Sequence, residues 1–376
     1  MYLQSLDLQN FTNYTNLKYY VTHKLNILVG KNAQGKSNLL EAIYYLSSAH
    51  SGRYPNDLEL IKWGSDFFQI KAEVGTKNSV FQLRYSLKNK KKELEVNGTK
   101  SNKVTDIIGL FNVVLFSPDD LFIVKGTPAL RRRYLDNEII QVSPSYYHYL
   151  LQYRKILLQR NNLLKNIKLG KSDTGSLDVW ESQLAKSGAW LISKRLEMLQ
   201  KIKPLARLAH RRLTSGQEEL EIIYKSTICQ NIEQIGSHNL EKIFLENLQK
   251  FQKEDTIKGY TTIGPQRDDF ELKINGLNAN VFGSQGQQRT VALSLKIAEL
   301  EFMFAESGEY PVLLLDDVLS ELDKNRREQL LSMVSKKIQT FITCTDLEFL
   351  NQETLAKAAI AEISGGKLQK LPALES

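Results

Sequence analysis

Residues 25–43, LNILVGKNAQGKSNLLEAI, run an apolar stretch into two glycines, a lysine and a serine, and then change to helical spacing. Within them GKNAQGKS (30–37) matches G-x-x-x-x-G-K-[ST]. Gly30 and Gly35 permit a backbone turn where a Cβ would clash, so that successive N–H groups converge on phosphate oxygens. Lys36 is placed to reach β- and γ-phosphates, and Ser37 offers a hydroxyl to Mg²⁺. KLNILV reads as a buried strand before the loop and SNLLEAIYYLS as a helix after it, its positive end toward the phosphates. The predicted ATP-binding loop is therefore Gly30, Lys31, Asn32, Ala33, Gln34, Gly35, Lys36, Ser37 and Asn38.

Such a loop needs a carboxylate at the end of a neighbouring strand. YPVLLLDDVLSELD (310–323) supplies Val312–Leu315 as an uninterrupted apolar run followed by Asp316 and Asp317. A continuous apolar run suits a parallel strand covered on both faces. Asp316 is the expected Mg²⁺ residue, acting through water, and Asp317 the catalytic residue that orients and deprotonates the attacking water. About thirty residues upstream stands VFGSQGQQRTVALSLKIAELEF (281–302). There Ser284 is the expected N-cap of an apolar helix, with Gln285, Gly286 and Gln287 in its first turn and its free N–H groups facing outward. Alone, the first of these two stretches is also readable as a core strand ending in an acidic turn, and the second as an ordinary glycine-rich helix start. Their order behind the phosphate loop makes the pattern specific.

The chain of 376 residues is long enough for two domains or for one head with a large insertion, and 42% apolar residues suffice for a sizeable core. Lys plus Arg number 50 against 42 Asp plus Glu, a net charge of +8. That balance fits an anionic partner such as nucleic acid or a membrane surface, and equally a lysine-rich soluble protein. Cys229 and Cys344 form no C-x-x-C pair, which argues against a disulfide framework or zinc site and suits a reducing cytosol. The N-terminus lacks the basic head and apolar core of a signal peptide, and no run approaches a bilayer span. A soluble, cytoplasmic protein without membrane partners is expected.

Residues 67–75, 80–89 and 92–100 read as a meander with an Asn97–Gly98 turn. SYYHYLLQYRKILLQRNNLLKNI and the segment 177–213 show helical spacing and are separated by a polar break, as in an antiparallel helix pair, with Pro204 kinking or ending a turn. The expected organisation is an α/β head of two lobes, residues 1–125 and 256–376, with an inserted α-helical arm or lid over 126–255.

Phosphate loop, serine-glycine signature, acidic strand and SELD (320–323) together resemble the ABC-type P-loop ATPases. The leader, with Leu6, Leu8, Asn10, Phe11, Asn13 and Tyr14, narrows this to the chromosome-maintenance branch of SMC, Rad50 and RecF. FSPDDLFIVKGTPALRRRYLD (116–136), GPQRDDFEL (264–272) and FGSQGQQRT (282–290) narrow it to the RecF family. The resemblance implies an ATP-gated dimeric clamp, with ATP and Mg²⁺ held between Ser284 of one subunit and Lys36 of the other. It implies binding to duplex DNA and single-strand/duplex junctions, partnership with RecR, links to RecO and RecA, and a place in DNA damage repair, replication, recombination and the SOS response. A weak, DNA-stimulated ATPase that resets the clamp is expected. The alternative is an SMC-like structural DNA binder with little or no hydrolysis.

This chain departs from the family pattern at four places. Thr12 stands where the leader carries Arg, the signature reads Ser-Gln-Gly-Gln, and Asp317 replaces a glutamate, which implies slow turnover. After TFITCTD (340–346) no histidine occupies the switch position, near which Thr345 and Asp346 lie. A transporter subunit would need a membrane partner, and an OLD-type nuclease a further carboxylate domain for which the last fifty or so residues leave no room. The short helices suit a compact lobe rather than a long coiled coil.

Candidate DNA-contacting groups are Lys90–Lys92, Arg131–Arg133, Arg154, Lys155, Arg160, Arg211 and Arg212, although any single one reads more readily as solvated surface charge. Arg131–Arg133 are also readable as ties to Asp119, Asp120 or Asp136. Tyr146, Tyr149 and Tyr153 share a helical stripe and suit either core packing or base stacking. Arg267, Asp268 and Asp269 suit a salt-bridge network or an intersubunit contact.

Overall fold

The computed structural model describes residues 1–371 except 55, 102, 335 and 336. Its leader folds as a hairpin, β1 (Tyr2–Phe11) antiparallel to β2 (Tyr14–Tyr20). The apolar run before the glycine loop is β3 (Leu25–Val29), and α1 (Lys36–Ser48) follows the loop directly. The meander is β4 (Phe67–Gly75), β5 (Val80–Lys88), β6 (Lys91–Val96) and β7 (Thr99–Ser101). Asn97 and Gly98 both take positive φ, 51° and 78°, as a two-residue hairpin turn demands. β8 (Val113–Phe116) ends the first pass.

Helices then dominate. They are α2 (Leu121–Lys125), α3 (Pro128–Val142), α4 (Pro144–Lys168), α5 (Leu177–Leu213) and α6 (Ser237–Lys258). Between α5 and α6 lies β9 (Leu220–Lys225), followed after α6 by β10 (Asp269–Ile274), β11 (Leu277–Asn278) and α7 (Ala279–Phe282). The signature opens α8 (Gln285–Ser307). The chain closes through β12 (Val312–Asp316), α9 (Lys324–Val334), β13 (Thr340–Cys344), α10 (Gln352–Ala356), β14 (Ala358–Ser364) and β15 (Lys367–Lys370).

Two compact units result, Met1–Asp120 with Lys296–Ser376, and Leu121–Leu295. In the first, an antiparallel sheet ordered β2-β1-β4-β5-β6-β7 and a sheet ordered β15-β14-β3-β13-β12-β8 share one core with α1. The second sheet is parallel except for its β14–β15 edge pair. β12 and β13 are buried at every position, which is why Val312–Leu315 run apolar without alternation and the polar Thr340, Thr343 and Asp316 are buried among them. Their register, with Asp316 opposite Thr343 and Cys344 opposite Val29, brings the carboxyl ends of β12, β13 and β3 side by side. In open α/β sheets ligands bind at that end.

The second unit differs from the expected arm. Its boundary falls at Leu295/Lys296 instead of 255/256, because β10 pairs with β9 along Asp269↔Lys225 to Ile274↔Leu220. The segment after α6 is therefore sheet-bonded to the segment before it. Non-local pairing of this kind leaves no mark on local periodicity. Residues 372–376 of the expected head lie outside the described residues. Pro204 does not end its helix, and α5 continues to Leu213. One backbone bond is lost there, yet the buried series Ile202, Ala206, Ala209 and Leu213 keeps the same face packed. Across α4, α5 and α6, the fully buried Arg160 donates at 2.7 Å to Glu181, Asp255 and Thr261.

Candidate nucleotide site

The phosphate loop is shaped from outside as much as by its own residues. A Cβ on Gly30 would stand 2.3 Å from the Ile363 carbonyl oxygen of β14, so close approach fixes that glycine. Gly35 is held at φ 115°, and a Cβ there would meet Asn13 Nδ2 at 2.5 Å. Asn13 in turn donates to Gln34 O at 3.0 Å and accepts from Asn38 Nδ2 at 2.9 Å. Tyr14 donates its hydroxyl to Gly35 O at 2.9 Å. Asn13 and Tyr14 thus brace the loop from the leader hairpin. They stand in the leader pattern of the sequence, although their contacts to the loop were not legible there. Thr12, at φ 48°, turns its hydroxyl back to Phe11 O at 2.8 Å.

Lys36 is buried, its ammonium donating to Gly30 O at 2.7 Å and Lys31 O at 3.1 Å. These carbonyls hold the amine over the loop, where β- and γ-phosphates of a bound triphosphate would take it. Ser37 donates to Asp316 Oδ1 at 2.8 Å, and Thr343 donates to the same oxygen at 2.8 Å. A hydroxyl and a carboxylate oxygen in contact form a donor set suited to a hard cation that keeps several waters, so these residues fit Mg²⁺. Asp317 follows in the left-handed region at φ 54°, with its N–H on Thr343 Oγ1 at 2.9 Å. Burial raises its carboxyl above the ordinary aspartate range; Lys36 and Arg53 oppose the rise and Asp316 adds to it. Thr345 bonds its neighbour Asp346 at 3.1 Å just beyond β13.

Sequence reasoning missed two further residues here. Arg53 places Nη1 3.8 Å from Asp316 Oδ2. Its loop is anchored by Glu41 on α1, whose buried carboxylate accepts from Ser51 Oγ at 2.6 Å and Gly52 N at 2.9 Å. Burial raises the Glu41 carboxyl, with those hydrogen bonds and Arg53 acting against the rise. A polar residue at the core face of α1 was the available signal.

In the second unit Ser284 caps α8: its Oγ accepts from Gln287 N at 3.2 Å, while Gln287 Oε1 accepts from Ser284 N at 2.9 Å. This reciprocal capping box leaves the N–H groups of Gln285 and Gly286 at the helix tip. Gln285 and Gly286 are exposed.

The basic candidates divide. Arg160 is fully buried against Glu181 and Asp255, which removes it from any DNA surface. Arg131 is buried in a two-pronged pair with Asp269 at 2.7 and 2.8 Å and bonds Gly126 O, not Asp119, Asp120 or Asp136. Arg132 donates to Asp268 O at 2.8 Å. Asp268 itself accepts from Tyr224, Thr227 N and Thr227 Oγ1, so Asp268 and Asp269 belong to a network within the unit. Arg267 lies 5.0 Å over the Tyr260 ring. Lys92 is tied to Asp57. Lys90, Lys91, Arg133, Arg154, Lys155, Arg211 and Arg212 are exposed. Tyr146 and Tyr153 are core residues, and Tyr149 stacks on Trp190 at 4.2 Å. No helix among the described residues is long and apolar enough to cross a membrane.

A family model described as RecF/RecN/SMC N terminal domain matches residues 2–364. The chain is 44% identical to the DNA replication and repair protein RecF of Halothermothrix orenii, over 100% of both chains. It is 43% identical to RecF of Bacillus cereus (strain B4264), over 97% of this chain and 98% of that one. A solved structure of the recombination mediator protein RecF-ATP matches with TM-score 0.92 and 37% identity, covering 99% of this chain and 98% of that one. An Smc head bound to the C-winged helix domain of ScpA shares the fold at TM-score 0.56 and 15% identity. The chain belongs to the RecF/RecN/SMC family of P-loop ATPase heads and, within it, to the RecF proteins of DNA replication and repair.

Proposed function

We propose that this chain is an ATP-gated, dimeric DNA clamp of recombinational repair and replication. The observation that carries the reading is the meeting of Ser37 and Asp316 beside the buried Lys36, a ready site for a magnesium-bound triphosphate. The RecF-ATP neighbour supports ATP as the nucleotide. Two copies would each present a phosphate loop and a Ser284 helix tip, so that the charge of ATP becomes part of the contact between them. Ser37 and Asp316 would hold Mg²⁺, which supplies charge neutralisation on the phosphates. Asp317 orients the attacking water and takes its proton, and hydrolysis then removes the glue and opens the clamp. The shorter reach of aspartate supports a slow turnover, which a clamp that closes on DNA would raise when DNA is bound.

The net charge of +8 supports non-sequence-specific binding to duplex DNA and single-strand/duplex junctions through phosphates. The RecF resemblance supports partnership with RecR, a link to RecO and assistance to RecA loading at gaps, in the cytoplasm. Electrophoretic mobility shifts on gapped DNA test the clamp. ATP should strengthen binding in the wild type, and Lys36→Arg should remove that dependence. ATP-independent binding by both would favour the purely structural DNA binder.

A further inference from the structure

Behind the signature runs a chain of polar contacts that the nucleotide chemistry does not use. Gln287 Nε2 donates to Glu218 Oε1 at 2.9 Å, on the turn between α5 and β9. The other oxygen of Glu218 lies 3.0 Å from His210 Nε2. His210, fully buried in the last turn of α5, sets Nδ1 3.1 Å from Ser294 Oγ. The Ser294 hydroxyl directs its single hydrogen to Thr290 O at 2.6 Å, so it accepts from His210 Nδ1. At the other ring nitrogen, Nε2 stands within hydrogen-bond distance of Glu218 Oε2, so one buried ring joins the α5–β9 turn to α8.

Gln287 and Ser294 are seven residues apart, two turns along one face of α8. The His210–Glu218 pair therefore grips that face at two points, one of them the residue that completes the Ser284 cap. A glutamine free to rotate samples several rotamers; Glu218 on its Nε2 and Ser284 N on its Oε1 leave one. The network lies wholly within the second unit and ties the end of α5 to the start of α8.

We propose that Glu218, backed by His210, is a positioning residue for the signature: by fixing the Gln287 amide it sets the Ser284 cap and the helix-tip N–H groups that meet the triphosphate of the partner copy. The proposal rests on the reading of Ser284–Gln287 as a nucleotide-contacting element, and its test separates the two. Sedimentation velocity of the full chain in Mg-ATP, over a protein concentration series, gives the dimer dissociation constant for each variant. Glu218→Ala is expected to weaken dimerisation about tenfold, the cost of losing one hydrogen bond to a charged acceptor. Glu218→Gln, whose amide oxygen still accepts from Gln287, should restore it to within about twofold of wild type. In a Gln287→Ala background Glu218→Ala should add nothing, and ATP binding by the monomer should be unchanged in every Glu218 variant. If Glu218→Ala does not fold, Glu218→Met fills the same volume without an acceptor and should show the same loss. Wild-type dimerisation in the folded Ala or Met variant, alongside its loss in Ser284→Arg, would overturn the proposal, as would full additivity with Gln287→Ala. Undiminished dimerisation in Ser284→Arg would overturn the signature reading itself.

Discussion

Ser37 and Asp316, 279 positions apart in sequence, share a 2.8 Å hydrogen bond at the carboxyl ends of two strands of one sheet. The serine stands in the first turn of α1 and the aspartate closes β12, so this contact brings the two halves of the proposed ATP site together. Asp316→Asn keeps the shape and removes the charge that holds a divalent cation. Phosphate release in saturating Mg-ATP should fall at least about 100-fold, as loss of a metal-binding charge in phosphoryl transfer implies. Nucleotide titration in EDTA should change little. Equal losses in both assays would assign Asp316 a role in folding instead.

Asn13 supports the loop on both sides, through Gln34 O and the Asn38 amide. Asn13→Ala removes two hydrogen bonds of about 1 kcal/mol each, so nucleotide affinity should fall roughly five- to thirty-fold. Gly35→Ala should be worse, since its Cβ would need both a φ of 115° and a place 2.5 Å from Asn13 Nδ2. Fluorescent nucleotide titration ranks the two, and a milder effect for Gly35→Ala would refute the bracing account.

In the base role proposed for it Asp317 must be ionised, and burial raises its carboxyl. The sign follows: protonation sets in at a higher pH than for an ordinary aspartate, so the rate is lost earlier as pH falls. The acid limb of the hydrolysis rate should therefore lie above about pH 4, the usual aspartate value. Asp317→Asn should retain nucleotide binding and lose hydrolysis. A pH profile flat down to pH 4 in a folded wild type would remove Asp317 from the base role.

Arg160→Met tests the second unit. Its guanidinium bonds both Glu181 and Asp255 with no exposure, so its removal takes the cation from two buried carboxylates. A stability loss of about 3–5 kcal/mol is expected in urea unfolding. The salt dependence of DNA binding by the folded fraction should be unchanged, because a buried arginine releases no counterion. A shallower salt slope would place Arg160 at the DNA.

The loop, its strand and its helix were legible because motif, buried run and amphipathic spacing coincide within nineteen residues, 25–43. Asp316 was legible from an apolar run ending in acid. Arg160 was misread among surface charges, yet it stands seven residues after Tyr153 on the buried face that also carries Tyr146 and Leu164. That position on the apolar stripe was the available warning. The boundary at Leu295 was hidden, since pairing of β9 with β10 joins segments more than forty residues apart. Arg53 was hidden for the same reason, since its neighbour Asp316 comes from a distant strand, whereas Glu41 was marked by its polar side chain on the core face of α1.

In the clamp proposed here, ATP holds two copies of this chain together. Sedimentation of the wild type with and without Mg-ATP, repeated with gapped DNA, should show a monomer without nucleotide and a dimer at saturating Mg-ATP, strengthened by DNA. A chain that stays monomeric under every one of those conditions would rule the clamp out.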